Sequence, residues 1–299
     1  MKQGRDNFRF DIIVTIVVTI ISLITLYPIL FVLMASFSDP YEVASGNIFL
    51  LPKGFSLAAY QNVFRNTDIW RGYFNTILYT IFGTAFSLFL TVTSAFVLSR
   101  KKLPGHGLLS WFFLFTMYFN GGLIPTFLLV GSLGLYNKPY TLIILGAFSV
   151  YNMIITRSYF QTSIPETIYE AAYIDGANHF RIFFQIALPL AVPIIAVISL
   201  YYGVSQWNGY FNALIYISEE EYMPLQIVLR NILIGNQNAL QQITEGMEAS
   251  EMEAIAQRAY MAEAMKYSLI IIASAPLLVA CTSVQKYFVK GIMVGSLKG

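Results

Sequence analysis

Neutral polar and aromatic side chains occur within stretches of the sequence that are otherwise apolar. The segment SLYYGVSQWNGYFNALIYI carries Gln206, Trp207, Asn208 and Asn212, and an earlier apolar stretch carries Asn152. Amide groups form hydrogen bonds with hydroxyl groups, and flat aromatic rings pack against the C–H faces of sugar rings. These residues are therefore candidates for the path of a polyhydroxylated solute. The same residue types also join helices by hydrogen bonds and form aromatic belts at membrane interfaces, so both interpretations stay open.

Reactive groups that could form an active site do not come together in the sequence. His106 and His179 lie in separate polar stretches, without the ligand spacing of a metal site. The chain has no G-x-x-x-x-G-K-[ST] segment, and therefore no phosphate-binding loop of this type. No Asp, Glu, Lys or Arg falls in the centre of a predicted span, where ion-coupled carriers keep their coupling charges. We therefore expect no catalytic residue, cofactor or metal on this chain, and an energy source that lies elsewhere.

The composition indicates a membrane protein. Hydrophobic residues make up 57% of the 299 residues and charged residues only 11%, whereas soluble domains carry about 25% charged residues. The net charge of +2 is small and spread along the chain, so no nucleic-acid partner is expected. Cys281 is the single cysteine and lies in a hydrophobic run, so no disulfide can form within the chain.

Uncharged runs recur along the chain, and each can hold a transmembrane helix of about 20 residues. The predicted spans are residues 12–34, 73–98, 108–130, 140–160, 191–214 and 267–287. Within the third span, the run from Phe119 to Pro125 should break the helix, either as a packing kink or as a bend that lines the pore. The segments 35–72 and 216–265 are long connections, predicted to be external. The first should hold a short helix near Leu57–Phe64 and the second one or two helices over the external mouth.

Basic residues set the expected orientation. Eleven of the eighteen fall on one side of the predicted spans, together with five acidic residues. They are Lys2, Arg5, Arg9, Arg100, Lys101, Lys102, Arg157, Arg181, Lys286, Lys290 and Lys298. Because loops rich in Lys and Arg stay in the cytoplasm, both termini and the stretch between residues 160 and 190 are predicted to be cytoplasmic.

That cytoplasmic stretch, Glu166 to Pro193, is a polar segment between two predicted spans. Ser163 is expected to cap a short helix that has Pro165 in its first turn, with Glu166 reaching back to the cap. Ile164, Ile168, Ala171 and Ala172 should lie on roughly one face of it. Asp175-Gly176 should end this helix, because glycine turns there at no steric cost. A second helical run, from Ala177 to Leu188, should stop at Pro189.

The stretch contains Glu170-Ala171-Ala172, then Gly176 after three residues, Ile186 after nine more, and Leu188-Pro189 after one more. This spacing resembles the EAA loop of the membrane subunits of ABC-type importers. In that family the loop is the coupling helix, which docks into a cleft on a separate ATPase subunit. The bland alternative is an amphipathic loop that only joins two spans. The small residues Ala171 and Ala172 would permit close approach of the partner, and Glu170 would supply one charged contact. The resemblance implies a coupling role for Glu170, Ala171, Ala172, Asp175, Gly176, Ile186, Leu188 and Pro189.

Two other stretches resemble the carbohydrate branch of this family. PKGFSLAAYQNVF looks like the first external loop of carbohydrate-type permeases. MAEAMKYSLIIIASAPLLV with KYFVKGIMVGSLKG is similar to the LplC-like, complex-saccharide permeases, and the tail resembles that of the maltose-type second permease. The run Ala280 to Val284 departs from the expected proline and aromatic residues, which weakens any inference about the particular sugar. The resemblance implies that the tail contacts the ATPase through Lys290, Gly291, Gly295, Lys298 and Gly299.

The sequence thus predicts an all-α, polytopic membrane protein with six transmembrane helices and a cytoplasmic EAA coupling helix. Residues 1–299 should form a single ABC transporter transmembrane domain, with a core near 70–290 and a peripheral first span. The resemblance implies an oligosaccharide importer in the bacterial cell membrane, with lipid around it and both termini cytoplasmic. Its partners would be a homologous permease, an ABC ATPase dimer that binds ATP and Mg, and an extracellular or periplasmic solute-binding protein. The alternatives are an amino-acid or peptide permease and an ATPase-independent carrier or channel.

Overall fold

The computed structural model describes residues 2–100, 103–241 and 249–296, and these residues form helices and no β-strand. The predicted all-α class is therefore confirmed. A π-helical stretch covers Ile182–Ala187, and a 3₁₀ turn covers Glu220–Tyr222. In chain order the helices are α1 (Lys2–Ser36), α2 (Pro40–Ala44), α3 (Ala58–Arg65), α4 (Thr67–Ser99), α5 (His106–Tyr118), α6 (Leu123–Ser132), α7 (Pro139–Ile144), α8 (Val150–Ser163), α9 (Glu166–Ile174), α10 (His179–Leu190), α11 (Val192–Trp207), α12 (Phe211–Tyr216), α13 (Leu225–Gln241) and α14 (Ala249–Ser296).

Several of these helices are long and apolar enough to cross a membrane. They are Phe10–Ser36, Thr67–Ser99 and Ser250–Gln285. Two bent pairs meet the same criteria when each pair counts as one span: α5 with α6, which meet at 111°, and α10 with α11, which meet at 78°. The first bend lies at the break predicted near Phe119. Together these elements correspond to five of the six predicted spans.

The remaining predicted span, residues 140–160, differs from the expectation. Two short helices occupy it, α7 and α8, because the chain leaves the helical path near Gly146, which has a φ of +84°. The Ser149 hydroxyl then accepts a hydrogen bond from the Asn152 N–H and caps α8. The count of six spans therefore stays a prediction. The span predicted at 191–214 is likewise divided, since α11 ends at Trp207 and α12 begins at Phe211.

The described residues fall into two compact units. The first lies within Met1–Trp70 and Val228–Ala275, and the second within Arg71–Ile227 and Pro276–Gly299. In the first unit, the small side chains of Ala35, Ala59 and Ala264 are buried together. The Tyr60 hydroxyl donates a hydrogen bond to the Ser36 hydroxyl at 2.9 Å. The segment 35–72 is thus ordered, and its helix α3 lies close to the position predicted from the sequence.

The second unit contains the larger buried cluster, and aromatic rings form its centre. Phe96 of α4 packs against Phe160 of α8 at 5.6 Å and against Phe183 of α10 at 4.9 Å, measured between ring centroids. Tyr169 of α9 lies 6.4 Å from the same ring. Each such buried side chain contributes about 1.5–3 kcal/mol by leaving water. The cluster therefore joins α8, α9 and α10 to the long apolar helix α4.

Candidate functional site: a helical elbow and a polar cavity

The segment from Glu166 to Leu190, here called the elbow, consists of α9, a turn and α10. Its start differs from the expectation. Ser163 is the last residue of α8 and not a cap, and Pro165 precedes the first turn with φ −59° and ψ 140°. Glu166 does not reach back along its own chain in a capping box; its carboxylate lies 3.4 Å from Arg100. The fixed φ of proline and this ion pair replace the predicted side-chain cap.

The faces of α9 also differ in part from the prediction. Tyr169 and Ala172 are buried in the large cluster of the second unit, whereas Ala171 and Ile168 are exposed. Ala172 therefore packs α9 against the bundle, and only Ala171 offers the small outward surface that was expected from both alanines. Glu170 is exposed beside it. Tyr169 also points inward, and the predicted face, which was made of aliphatic residues, did not include it.

The turn after α9 is fixed by backbone hydrogen bonds. The Ala177 N–H donates to the Ala172 carbonyl at 2.9 Å, and the Gly176 N–H donates to the Tyr173 carbonyl at 3.0 Å. This pair of bonds is the Schellman ending of a helix, in which the residue after the cap takes a left-handed conformation. Gly176 occupies that position with φ +77°. The helix thus ends at Asp175-Gly176, where the sequence predicted its end.

Side chains hold the second arm of the elbow. The Asn178 side chain accepts a hydrogen bond from the Arg181 N–H at 2.8 Å and caps α10. Across the turn, the Tyr173 hydroxyl and the His179 ring nitrogen Nδ1 lie 3.0 Å apart. His179, expected to be an ordinary surface residue, therefore links the two arms. The described residues contain no cluster of His, Cys, Asp and Glu that could hold a metal ion.

The second helix of the elbow, α10, begins and ends slightly later than predicted. Helix α10 starts at His179 and not at Ala177, and it continues through Pro189 to Leu190 before the 78° bend. A π-helical stretch and a proline are both recognised causes of such bends, and the two coincide here. Ile186 and Leu188 are half-buried against the large cluster, and Pro189 is exposed.

The outer surface of the elbow is apolar at its tip. Ile174, the last residue of α9, is 87% exposed, and Phe180, in the first turn of α10, is 76% exposed. Large apolar side chains exposed together beside a charged residue such as Glu170 mark surfaces that bind a partner. The backbone between them is fixed by the Schellman turn, so the elbow presents these groups on a defined scaffold.

A cavity of about 100 Å³ lies elsewhere in the second unit, between α4, α7 and α11. Ser205, Gln206 and Asn212 contribute polar side chains to its wall. Two other polar residues of the wall already have partners: the Thr76 hydroxyl donates to the Gly72 carbonyl, and the Tyr79 hydroxyl donates to the Tyr222 carbonyl. Pockets for drug-sized ligands begin at about 300 Å³, so this wall is at most part of a saccharide site.

A close contact between helices sets the position of Gln206. Its amide lies over Gly83 of α4, where a Cβ atom would come within 2.7 Å of Cδ and Nε2. Next to this contact the hydroxyls of Thr80, Thr84 and Ser87 are buried without a hydrogen-bond partner among the described residues. With Gln206, these α4 residues form a polar seam that the sequence analysis did not identify.

The other candidate path residues do not line this cavity. Trp207 is buried and packs edge-on against Tyr73, with ring centroids 5.7 Å apart. The Asn208 amide donates to the Val204 carbonyl of its own helix at 3.0 Å. Asn152 is buried in the first turn of α8. The five residues chosen for their chemistry are thus divided between the cavity wall, which holds Gln206 and Asn212, and packing or capping positions.

The candidate tail lies at the end of α14. The backbone of Lys290, Gly291 and Gly295 belongs to this continuous helix, which merges the predicted last span with helical residues from Ala249 onward. Lys298 and Gly299 lie outside the described residues. The predicted contact of this tail with an ATPase therefore stays a prediction.

Comparisons with known proteins agree with this arrangement. Residues 4–294 match the family described as "Binding-protein-dependent transport system inner membrane component". The chain is 38% identical over 293 residues to the polygalacturonan/rhamnogalacturonan transport system permease protein YtcP of Bacillus subtilis (strain 168), covering 98% of this chain and 99% of that protein. It is 37% identical to protein LplC of the same organism, covering 100% of this chain and 97% of that protein.

A solved structure is also similar. A chain from the crystal structure of a bacterial ABC transporter involved in the import of the acidic polysaccharide alginate has a TM-score of 0.84 to this one at 34% identity. The match covers 95% of this chain and 98% of that chain. The apolar helices, the matched family and this fold agree that the protein is a membrane component and not an enzyme. The chain therefore belongs to the family of binding-protein-dependent transport system inner membrane components, as a permease subunit of an ABC importer.

Proposed function

We propose that this permease subunit forms, together with a second and homologous permease, the path for an oligosaccharide released from a polysaccharide. Both the YtcP relative and the alginate transporter are named for polysaccharide substrates, which supports this class of solute. Gln206 and Asn212 in the uncharged wall of the cavity can bind the hydroxyl groups of a saccharide, because amides both donate and accept hydrogen bonds. An amino-acid or peptide permease, or a carrier without an ATPase, is less consistent with these relatives.

The elbow supplies the coupling in this proposal. Its fixed turn at Gly176, with Glu170, Ala171, Ile174 and Phe180 exposed around it, is the observation that carries the proposal. An ATPase dimer that binds ATP and Mg²⁺ would hold this surface in a cleft. Ile186, Leu188 and Pro189 belong to the arm that leads away from the cleft, and the tail of α14, with Lys290, is a second contact with the ATPase.

Force would pass from the elbow to the bundle through packing. Tyr169 and Ala172 are buried in the same cluster as Phe160 of α8 and Ile198 of α11. Protein interiors are close-packed and transmit displacement instead of absorbing it. When ATP binding closes the ATPase dimer, the elbow would move as one piece, and α8, α10 and α11 would turn the path from outward-facing to inward-facing.

This model requires the elbow and both termini to be cytoplasmic, with the solute-binding protein on the opposite side. The test uses Ala171→Cys in a Cys281→Ser background, labelled in intact cells and in inside-out vesicles with a maleimide that does not cross membranes. Labelling only in the vesicles is expected. Labelling of Ala171→Cys in intact cells would overturn the model.

The partner is tested by purification of the intact importer. Wild-type protein should co-purify with an ATPase, and Glu170→Lys should lose most of it, because the substitution reverses the exposed charge beside the docking surface. Glu219→Lys, a charge reversal at an exposed residue away from the elbow, is the matched control and should retain the ATPase. Retention by both variants would contradict the docking role of the elbow.

A further inference from the structure

The residue after the last turn of α4 makes an unusual contact with the elbow. The guanidinium carbon of Arg100 lies 3.2 Å from the centroid of the Tyr169 ring and 4.9 Å from that of Phe96. A cation over the face of an aromatic ring is attracted by the ring quadrupole, and more strongly where water is excluded. The Arg100 side chain is only 19% exposed, so this contact is largely shielded from solvent.

Ion pairs and hydrogen bonds compensate little of the free-energy cost of burying the Arg100 charge. Within the part of the chain that the structure describes, its ion pair is with Glu166 at 3.4 Å. The Glu166 side chain is 64% exposed, and exposed ion pairs contribute little. The Nε and Nη2 donors of Arg100 are buried and have no hydrogen-bond acceptor among the described residues. The ring faces are therefore the main favourable surroundings of this charge.

Tyr169 is suited to this contact by its ring and not by its hydroxyl. The residue is 1% exposed, and its buried hydroxyl has no hydrogen-bond partner of ordinary geometry among the described residues. Burial raises the pKa of Tyr169 above its usual value, and the charge of Arg100 and a weak hydrogen-bonding interaction between Arg100 and the hydroxyl offset part of that rise. The side chain is therefore a neutral phenol at physiological pH, and the guanidinium contacts the face of its ring.

We propose that Arg100 is a positioning residue, which clamps α9 to the cytoplasmic end of α4 by stacking on Tyr169 and so reinforces the contact that Phe96 of α4 makes with the same ring. The inference rests on the proposed function of the elbow and goes beyond it. Neither residue is among the EAA positions. Tyr169 also belongs to the buried cluster that packs the elbow on α8 and α11, whereas Arg100 reaches its ring from the end of α4. Through the clamp, displacement of α9 also moves α4, which carries the polar seam with Thr80, Thr84 and Ser87.

The variants separate the ring from the ion pair. Tyr169→Phe keeps the ring face, whereas Tyr169→Leu removes it. Arg100→Gln removes the charge, and Arg100→Lys keeps a cation in reach of the ring. Glu166→Gln breaks only the ion pair and is the matched control.

The measurement is hydrogen exchange of the α9 amides in the assembled importer. Tyr169→Leu and Arg100→Gln should each speed exchange of the Ala171 and Ala172 amides by about tenfold or more, because these amides exchange by local opening of the helix. Tyr169→Phe and Glu166→Gln should change it by less than about twofold, and Arg100→Lys should lie between. A Glu166→Gln effect as large as that of Arg100→Gln would overturn the stacking interpretation, and so would a Tyr169→Phe effect as large as that of Tyr169→Leu.

A second readout excludes a merely structural role. The solute imported per ATP hydrolysed is measured in proteoliposomes, with oligogalacturonides as the probe. The ratio should fall in Arg100→Gln and recover at least partly in Arg100→Lys, at an unchanged amount of bound ATPase. An unchanged ratio in both Arg100→Gln and Tyr169→Leu would overturn the proposal. If Arg100→Gln does not assemble, the contrast between Tyr169→Phe and Tyr169→Leu decides.

Failure of the clamp and failure of the elbow's role are distinguishable. Labelling of Ala171→Cys from outside the cell, or retention of the ATPase by Glu170→Lys, would count against the elbow itself. Normal results in those two experiments, with no effect of Tyr169→Leu or Arg100→Gln, would count against the clamp alone.

Discussion

The elbow and the polar seam differ in how their polar groups are satisfied. At the elbow, the amides of Gly176 and Ala177 meet carbonyl groups, and the Asn178 side chain caps the next helix. Along the seam, three α4 hydroxyls are buried with no partner among the described residues. They lie at spacings of four and three residues, and therefore on one face of α4. The backbone of the elbow's turn is satisfied within itself, whereas the seam presents polar groups that its own helices do not pair.

This difference fits two mechanical roles. A turn that is fixed by backbone hydrogen bonds and a side-chain cap has one low-energy geometry and moves as a unit. Buried hydroxyls without partners carry a desolvation cost, which water or a solute hydroxyl can relieve when neighbouring helices shift. The elbow is therefore suited to transmitting a displacement, and the seam between α4 and α11 to responding to one.

The largest expected effect comes from the turn of the elbow. Gly176→Val places a β-branched residue at φ +77°, which costs about 1–2 kcal/mol or more, although a Cβ atom there meets nothing within 4 Å. We expect uptake of an oligogalacturonide probe to fall by about tenfold or more while membrane insertion stays normal. Gly176→Asn is the control, because asparagine tolerates this conformation. Equal uptake by both variants and the wild type would show that the turn need not be fixed.

The next effect contrasts the paired hydroxyl of Tyr202 on α11 with the unpaired hydroxyl of Ser87 on α4. The Tyr202 hydroxyl accepts a hydrogen bond from the Ser149 N–H at 3.0 Å and lies 2.6 Å from the Thr91 hydroxyl. Tyr202→Phe leaves both groups buried and unsatisfied, so it should destabilise the protein by about 1–3 kcal/mol. Ser87→Ala removes a buried hydroxyl that makes no such bond, so it should leave stability unchanged or raise it by relieving the desolvation cost. Thermal unfolding of the purified importer measures both.

A larger loss for Ser87→Ala than for Tyr202→Phe would reverse the distinction. It would mean that the seam hydroxyls are satisfied in the assembled importer and that the Tyr202 contacts are not needed.

The sequence was informative where function depends on backbone geometry at fixed spacing. Asp175-Gly176 predicts a helix end because a left-handed turn requires glycine, and the structure has that turn. Ala172 was assigned to the wrong face, because residue type alone does not say which small residue points inward. The buried contact between Tyr169 and Phe96 determines which face of α9 points inward, and these two residues are far apart in the sequence.

Side-chain chemistry was a weaker guide to the path. Gln206, Trp207 and Asn208 are consecutive, and helical geometry directs consecutive residues about 100° apart, so they cannot share one lining. The sequence also does not predict that Gly83 makes room for Gln206. A glycine in an apolar helix gives no indication of which side chain from another helix will pack against it. Arg100 counted only as a cytoplasmic charge, since its contact with Tyr169 depends on the fold.

A smaller effect is expected at the contact that places Gln206 in the cavity wall. In Gly83→Ala the new Cβ atom would lie within 2.7 Å of the Gln206 amide, and the flexible side chain should move away. We expect the KM for an oligogalacturonide probe to rise by about threefold in Gly83→Ala and in Gln206→Ala. The double variant should be no worse than either, because residues in contact are not additive. Additive effects would show that Gly83 acts through something other than Gln206.

The smallest effect distinguishes two asparagines four residues apart. Asn212 lines the cavity, whereas the Asn208 amide donates to the Val204 carbonyl of its own helix. Asn212→Ala should therefore raise the KM for the same probe by about twofold, the loss expected for one modest hydrogen bond. Asn208→Ala should leave the KM unchanged and alter stability by less than about 0.5 kcal/mol. Because both residues are asparagines and lie only four residues apart, composition cannot explain a difference between them. A raised KM in Asn208→Ala with none in Asn212→Ala would move the path away from the cavity and the seam.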